Sequence, residues 1–468
     1  MADGPPVARL RQYLRDLKPE ARSLLIVELE RGLLRGDAPD GAQLVLQELR
    51  RLARETGRPA SRGGNLPRLF FQAIEPFLVD DVAEHRHPGR IARVALEPIW
   101  EWVCRDLLPG EAKAVTEAVA RAVGRQDLAH AEELARNFQD RFARRAQEAL
   151  DAADADEAAR RRLAGEIATP RGIEDVRSIV EVLKARDALE NFAIVLPRHI
   201  AELSGAMLGL IKERLDAVPS QDRTAFVQRL LVVMSRLAAP WQLAKIATCG
   251  AGTTSAQALA ENRYGVAIAI VLAEVGRMVA ELKSELKTGR GVAVGALLKS
   301  IHDAVCGLRA EVDFSVDCPW ARELAAACAD TSNVLKDEIE PVPGHVERLL
   351  RPRASHDIAP GSSIDRGDVS DTEARIAFVG TCRQYAGGLD IGDVAQKAWS
   401  ALETNLSAVT EPLAEALRGA GDSDRDFRRS QFDAAMRFSA VVFGPDHAAA
   451  MARSVAEAGE RRITARAS

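Results

Sequence analysis

The sequence predicts an all-α protein: a multi-helix bundle or irregular helical array of long amphipathic helices, with no significant β-sheet. Three observations carry that expectation. Ala, Leu and Val dominate the 47% of residues that are hydrophobic, and aromatics make up only 4%. Ala and Leu are strong helix formers, whereas sheets draw on Tyr, Phe, Trp, Ile and Thr. Apolar residues recur at steps of three and four in many segments, while no segment alternates as a strand would and no Asn-Gly hairpin signal appears.

A chain of 468 residues is long for a single hydrophobic core. Its breaks suggest four parts. Residues 1–56 read as an N-terminal helical module and 66–339 as a central helical region built around a 259–286 helix. Residues 340–371 read as a Pro/Gly-rich linker and 372–468 as a C-terminal helical module.

The opening helices place Leu10, Leu14 and Leu17 before Pro19, and Leu24, Leu25, Leu29 and Leu33 after it. Pro19 suits the first turn of the second helix. A third helix carrying Leu44, Leu46, Leu49 and Leu52 is the expected cover for that face; the alternative is docking into a groove of a partner or a second copy. After the Gly-rich 57–66 break, Trp100 and Trp102 lie on one apolar segment, and core packing is expected for at least one of them. Leu134, Phe138 and Phe142 mark a long helix whose other side carries Arg136, Arg144, Arg145 and Glu148. Ile173, Val176, Val180 and Leu183 form a stripe behind the acidic first-turn pair Glu174 and Asp175.

Phe226, Leu230, Val233 and Leu237 form the next stripe, with Ser220 as the expected N-cap and a stop before Pro240. Ile268, Leu272, Val275, Val279, Leu282 and Leu286 define the helix expected at the centre of the assembly. In the last part, turns are expected at Gly387-Gly388 and at 419–424. Glu-Pro recurs at Glu75-Pro76, Glu97-Pro98, Glu340-Pro341 and Glu411-Pro412, as shared helix corners would. Their unequal spacing argues against a stacked helical repeat.

The net charge is −5, from 63 basic and 68 acidic side chains, so global electrostatics do not favour nucleic acid. Only ten of the basic residues are Lys, which reads as the codon bias of a GC-rich, bacterial genome. No apolar leader opens the chain, and the longest strongly apolar run, Tyr264 to Ala273, is too short to span a bilayer. With six cysteines and no CxxC, a cytoplasmic protein with reduced, structural cysteines is expected.

The densest set of potential ligands is Asp80, Asp81, Glu84, His85 and His87. Carboxylates on one helical side with two imidazoles beside them suit Zn²⁺ or Mg²⁺ if a second segment completes the shell. The Asp80-Asp81-x-x-Glu84 order resembles the aspartate-rich motif of helical terpene and prenyl synthases. That resemblance implies Mg²⁺-diphosphate at these carboxylates. It covers five residues, and the family's second Mg²⁺ motif and its aromatic pocket residues are missing. A polar helix end before the turn at Pro88-Gly89 is the simpler reading.

The glycine-bearing stretches at Gly250–Thr253 and Gly289–Gly295 lack the strand that a dinucleotide or phosphate loop follows, so they read as helix breaks. Arg50, Arg51, Arg54 and Arg58 form a basic face with no interleaved aromatics. It reads as a solvated helix end.

These readings lead to an expected function: a non-enzymatic intracellular helical scaffold or adaptor acting through protein–protein contacts, with other proteins as partners and a homo-oligomer as one form. Two alternatives stand beside it. One is a metal-dependent enzyme with a site near Asp80–His87. The other binds nucleic acid or an anionic surface through the Arg50–Arg58 face. No residue is assigned a catalytic, cofactor-binding or metal role, and no cofactor is expected.

Overall fold

The computed structural model describes residues 65–80, 86–288, 291–315, 318–389, 391–421 and 423–453, together with Tyr13, Leu14, Leu17, Arg22, Leu25, Leu29, Val45, Leu46, Glu48 and Leu49. The fold is all-α. Its sheet, among the described residues, is one parallel pair of two-residue strands, β1 Leu78–Val79 and β2 Ile91–Ala92, with Leu78 opposite Ile91. No helix of the described residues is long and apolar enough to cross a membrane.

The chain divides into two compact units. The first holds Met1–Thr253 with Leu259–Ile270, and the second holds Thr254–Ala258 with Val271–Ser468.

In the first unit, Leu14, Leu46 and Leu49 are buried together, with Leu17, Leu25, Leu29 and Val45 packed against them. Leu14, Leu17, Leu25 and Leu29 therefore pack with Leu46 and Leu49 of the expected third helix, while Leu10, Leu24, Leu33, Leu44 and Leu52 lie outside the described residues. Helix α1 (Leu66–Phe71) is capped by Asn65, whose side chain accepts from the Arg68 amide, and runs into a 3₁₀ turn, Gln72–Phe77, that contains Pro76. After the strand pair come α2 (Leu96–Trp102), a π turn at Val103–Leu107, α3 (Pro109–Gly124) and α4 (Leu128–Ala155).

Helix α4 is the axis of this unit. Its apolar stripe at Ala131, Ala135, Phe138, Phe142, Ala146 and Leu150 is buried, which is the i, i+4, i+7 pattern of one helix face. Phe138 and Phe142 meet Phe70 at ring-centroid distances of 5.7 and 5.1 Å, and Trp102 lies 6.4 Å from Phe142. Trp102 is buried, and its indole N–H donates to Glu166 at 3.2 Å, satisfying the one polar atom it carries inward. Helices α5 (Glu157–Ile167) and α6 (Gly172–Lys184) pack on α4.

The unit continues through α7 (Arg186–Ile194), α8 (Gly205–Asp216), α9 (Arg223–Met234) and α10 (Leu243–Ala251). Helix α9 begins two residues later than the Ser220 cap expected for it. Asp222 is the N-cap, its side chain accepting from the Ala225 amide at 2.9 Å. A carboxylate there accepts from a first-turn amide and faces the positive helix end. Leu237 lies past the helix end, in a bridge with Ile200.

The expected 259–286 helix is two helices, α11 (Ala256–Ala260) and α12 (Gly265–Thr288). The break has a local cause. Asn262 accepts from the Tyr264 amide through its side chain and from the Gly265 amide through its carbonyl, so this turn replaces helical bonds. The Tyr264 ring seats against Gly250, where a Cβ would lie 2.3 Å from it. The residues of α12 are divided between the units: those up to Ile270 belong to the first and those from Val271 to the second.

The second unit contains α13 (Gly291–Glu311), α14 (Pro319–Ile339), α15 (Val342–Leu350), α16 (Arg366–Gln384), α17 (Gly392–Arg418) and α18 (Arg425–Val442). The stretch read as a linker, 340–371, holds α15. Val342, Val346 and Leu350 on that helix are buried, and it packs on α16, α17 and α18. Pro341 and Pro343 do not prevent this, because the first turn of a helix has no amide partner to lose. Pro412 lies within α17, so Glu-Pro does not mark a corner at every occurrence. The expected turn at Gly387-Gly388 is a 3₁₀ turn, Ala386–Gly388, and residues 419–424 separate α17 from α18.

Candidate functional site

The metal reading rests on residues that the structure uses otherwise where it describes them. Residues 81–85, which include Asp81, Glu84 and His85, lie outside the described residues. Asp80 pairs with Arg93 at 2.7 Å. Arg86, at the end of the cluster, reaches back to Asp175 at 2.7 Å, with side chains 5% and 0% exposed. The Ala92 amide donates to the same carboxylate oxygen at 3.2 Å. Asp175 lies in the first turn of α6 as expected, and its carboxylate also ties β2 and the segment before it to that helix. Burial pushes its pKa up, against the pull of Arg86 and the Ala92 amide. His87 contacts the Pro88 carbonyl at 2.6 Å, and burial lowers its pKa. Among the described residues no three His, Cys, Asp or Glu side chains gather as a metal set. The Arg50–Arg58 face lies outside the described residues.

A concave feature of the first unit lies elsewhere, a cavity of about 260 Å³ among four segments. Helix α4 contributes Glu132, Ala135, Arg136 and Gln139, and α7 contributes Arg186, Leu189, Glu190 and Ala193. Each set follows i, i+3, i+4, i+7, so each is one face of its helix. Leu69, Gln72, Ala73, Pro76 and Phe77 close one side; Val232 of α9 and Arg236 beyond it close the other. Phe77, Ala135, Leu189 and Val232 are buried and form an apolar floor. The size falls just under the roughly 300–1,000 Å³ usual for small-molecule sites.

The rim is charged and mostly paired. Arg136 spans from α4 to α7, donating to Asp187 at 3.1 Å and to Glu190. The Glu190 bond, together with both carboxylate charges, keeps the Arg136 pKa above its ordinary value against a burial that lowers it. Arg186 is nine-tenths buried and donates to the Gln139 carbonyl oxygen at 2.7 Å. Gln139 in turn donates to the Phe70 carbonyl at 2.7 Å, so the amide is oriented at both ends. Arg236 donates to the Ala193, Leu196 and Pro197 carbonyls, holding the C-terminal end of α7 with a cation where the helix dipole favours one. Burial lowers its pKa, and Arg198 adds to that.

Gln139→Leu is expected to cost about 1–3 kcal/mol, because it removes the shortest of the Arg186 hydrogen bonds and the bond to the buried Phe70 carbonyl while keeping the volume, although Arg186 keeps Asp140 and Asp187. Chemical denaturation reads the loss, and an unchanged midpoint would contradict this account. Next in the chain to Ala193, Ile194 is 78% exposed and Val195 37%.

The sequence places Arg136 on the side of its helix away from Leu134, Phe138 and Phe142, and in the structure it stands on the cleft rim. The matching signal was present: two four-residue faces of identical spacing, each carrying one Arg and one Glu. Which charged face turns toward a neighbour depends on helix packing, and periodicity does not carry that. The six cysteines are free; Cys249 and Cys306 are exposed, while Cys318, Cys328 and Cys382 are buried. Compared with family models, with curated proteins and with solved structures, the chain matches none.

Proposed function

We propose that the protein is a non-enzymatic helical scaffold or adaptor, working in the cytoplasm through protein–protein contacts, with the first-unit cleft as its docking point. The observation that carries the proposal is the apolar-floored cavity whose α7 wall ends in the exposed Ile194. Its volume suits one large apolar or aromatic side chain, the anchor around which hot-spot interfaces are built. The paired arginines and carboxylates form the polar rim that excludes water from such an anchor. Glu132, exposed at the mouth and without an ion pair among the described residues, would meet a basic group flanking the anchor. Six unpaired cysteines accord with a reducing compartment.

Affinity capture from the native host with the intact chain, followed by mass spectrometry, tests the proposal. Ala193→Phe fills the cavity and Ile194→Asp charges its edge. Both are expected to lose a stoichiometric partner that the parent chain retains, with circular dichroism unchanged. The same partner recovered equally by all three, or none recovered by any, would set the proposal aside. Light scattering on the same samples distinguishes a second copy of the chain from a different protein.

A further inference from the structure

The second unit contains a thiol, an imidazole and a carboxylate in a chain of contacts that the docking proposal does not use. Cys306 and His302 are one helical turn apart on α13, and the Cys306 Sγ lies 3.5 Å from the His302 Nε2. On the other side of the ring, Nδ1 lies 3.2 Å from the Asp303 Oδ1. One tautomer satisfies both contacts: Nδ1–H donates to Asp303, and Nε2 is left to accept from the thiol. Asp303 also accepts from Lys299. Burial pushes the Asp303 carboxyl up, but the bonds from Lys299 and His302 outweigh it and hold the group below its ordinary value. The carboxylate is thus ionised and fixes the ring. This is the order nucleophile, base, orienting group.

The surroundings hold the dyad in place and leave the sulfur open. The Tyr385 ring lies against His302, with centroids 5.6 Å apart. Gly388 seats its bare Cα on the pair; a Cβ there would lie 3.0 Å from the Cys306 sulfur and 3.4 Å from the imidazole. Cys306 itself is exposed, unlike Cys318, Cys328 and Cys382. A buried structural thiol needs neither an acceptor at Sγ nor a path from solvent, and Cys306 has both.

We infer that Cys306 is a thiol-modification site, activated by His302 and Asp303, which forms a mixed disulfide with low-molecular-weight disulfides. The Cys306 proton passes to the His302 Nε2, and the thiolate attacks one sulfur of the disulfide. The new S–S bond forms as the old one breaks, and the departing thiolate takes the proton back from His302. Cys306 is oxidised, and half of the disulfide is reduced to thiol, so no further oxidant is required.

The test uses the full chain, 5,5′-dithiobis(2-nitrobenzoate) as the disulfide, and peptide mass spectrometry to follow each cysteine at pH 7. Cys249, the other exposed thiol, is the internal reference. Cys306 is expected to react at least about tenfold faster than Cys249. His302→Gln is expected to remove that advantage while leaving the Cys249 rate unchanged. Asp303→Asn, which keeps the side-chain shape, is expected to remove part of it, and continued protection of the buried Cys328 and Cys382 reports an intact second unit in either variant. A Cys306 rate equal to that of Cys249, or one that His302→Gln leaves unaltered, would overturn the inference.

Discussion

Replacing Asp175 by Ala is expected to destabilise the first unit by about 3–5 kcal/mol, read as a lower denaturant midpoint at unchanged slope. The reason is the guanidinium it would leave behind. Arg86 has only 5% of its side chain exposed, and its carboxylate partner has none. Removing one member of such a pair strands a charge out of water, which costs more than the pair contributes. The double variant Arg86→Met, Asp175→Leu is therefore expected to lie close to the parent. The carboxylate is itself imperfectly satisfied, since Oδ2 is buried without a hydrogen-bond partner.

The pH dependence follows from the same burial. Burial raises the Asp175 pKa above its unfolded value, so the folded state binds the proton more tightly. The stability tied to this group is present at pH below the unfolded value and falls as pH rises through the folded one. Asp175→Asn is expected to flatten that part of the profile. Equal losses in the single and double variants would show that shape, and not the stranded charge, sets the cost.

Phe142→Ala is expected to cost about 3–5 kcal/mol and to weaken the near-ultraviolet dichroism of the aromatic cluster. Phe142 is fully buried between Phe70 and Trp102, whose own positions come from α1 and α2. Three elements meet at this ring, and none can close the void without moving the other two. Leu134→Ala, half-buried on the same helix, is expected to cost distinctly less, because solvent and neighbours refill its space. A loss below about 1 kcal/mol for Phe142→Ala would mean that the site collapses freely, contrary to this packing.

Much of the fold is legible in the residue order. Phe138 and Phe142 of α4 and Val176, Val180 and Leu183 of α6 are buried as their spacing requires, Leu134 and Ile173 are half-buried, and Trp102 lies in the core. What misled was chemistry with two equally good local solutions. Ser220 and Asp222 are both N-cap residues, and the turn that closes from the Asp222 amide to the Pro219 carbonyl selects the second. Pro341, Pro343 and Pro352 suggested a linker, yet Val342, Val346 and Leu350 carry a buried helical stripe between them. Asp80 and His87 share a short stretch of chain, but Asp80 is drawn to Arg93 while His87 turns to Pro88.

The sequence by itself determined that this chain is helical, where most helices lie and which of their residues are apolar. Those properties depend on contacts within four residues, and the 3.6-residue period writes them directly into residue order. Tertiary structure alone decided the rest: the division within α12, the burial of Asp175 against Arg86, the cleft joining residues 69 to 236, and the packing of Gly388 on Cys306. The last three join residues far apart in the chain. Such meetings are set by which helix faces pack together, and that choice depends on the shape and volume of whole faces, which periodicity leaves open.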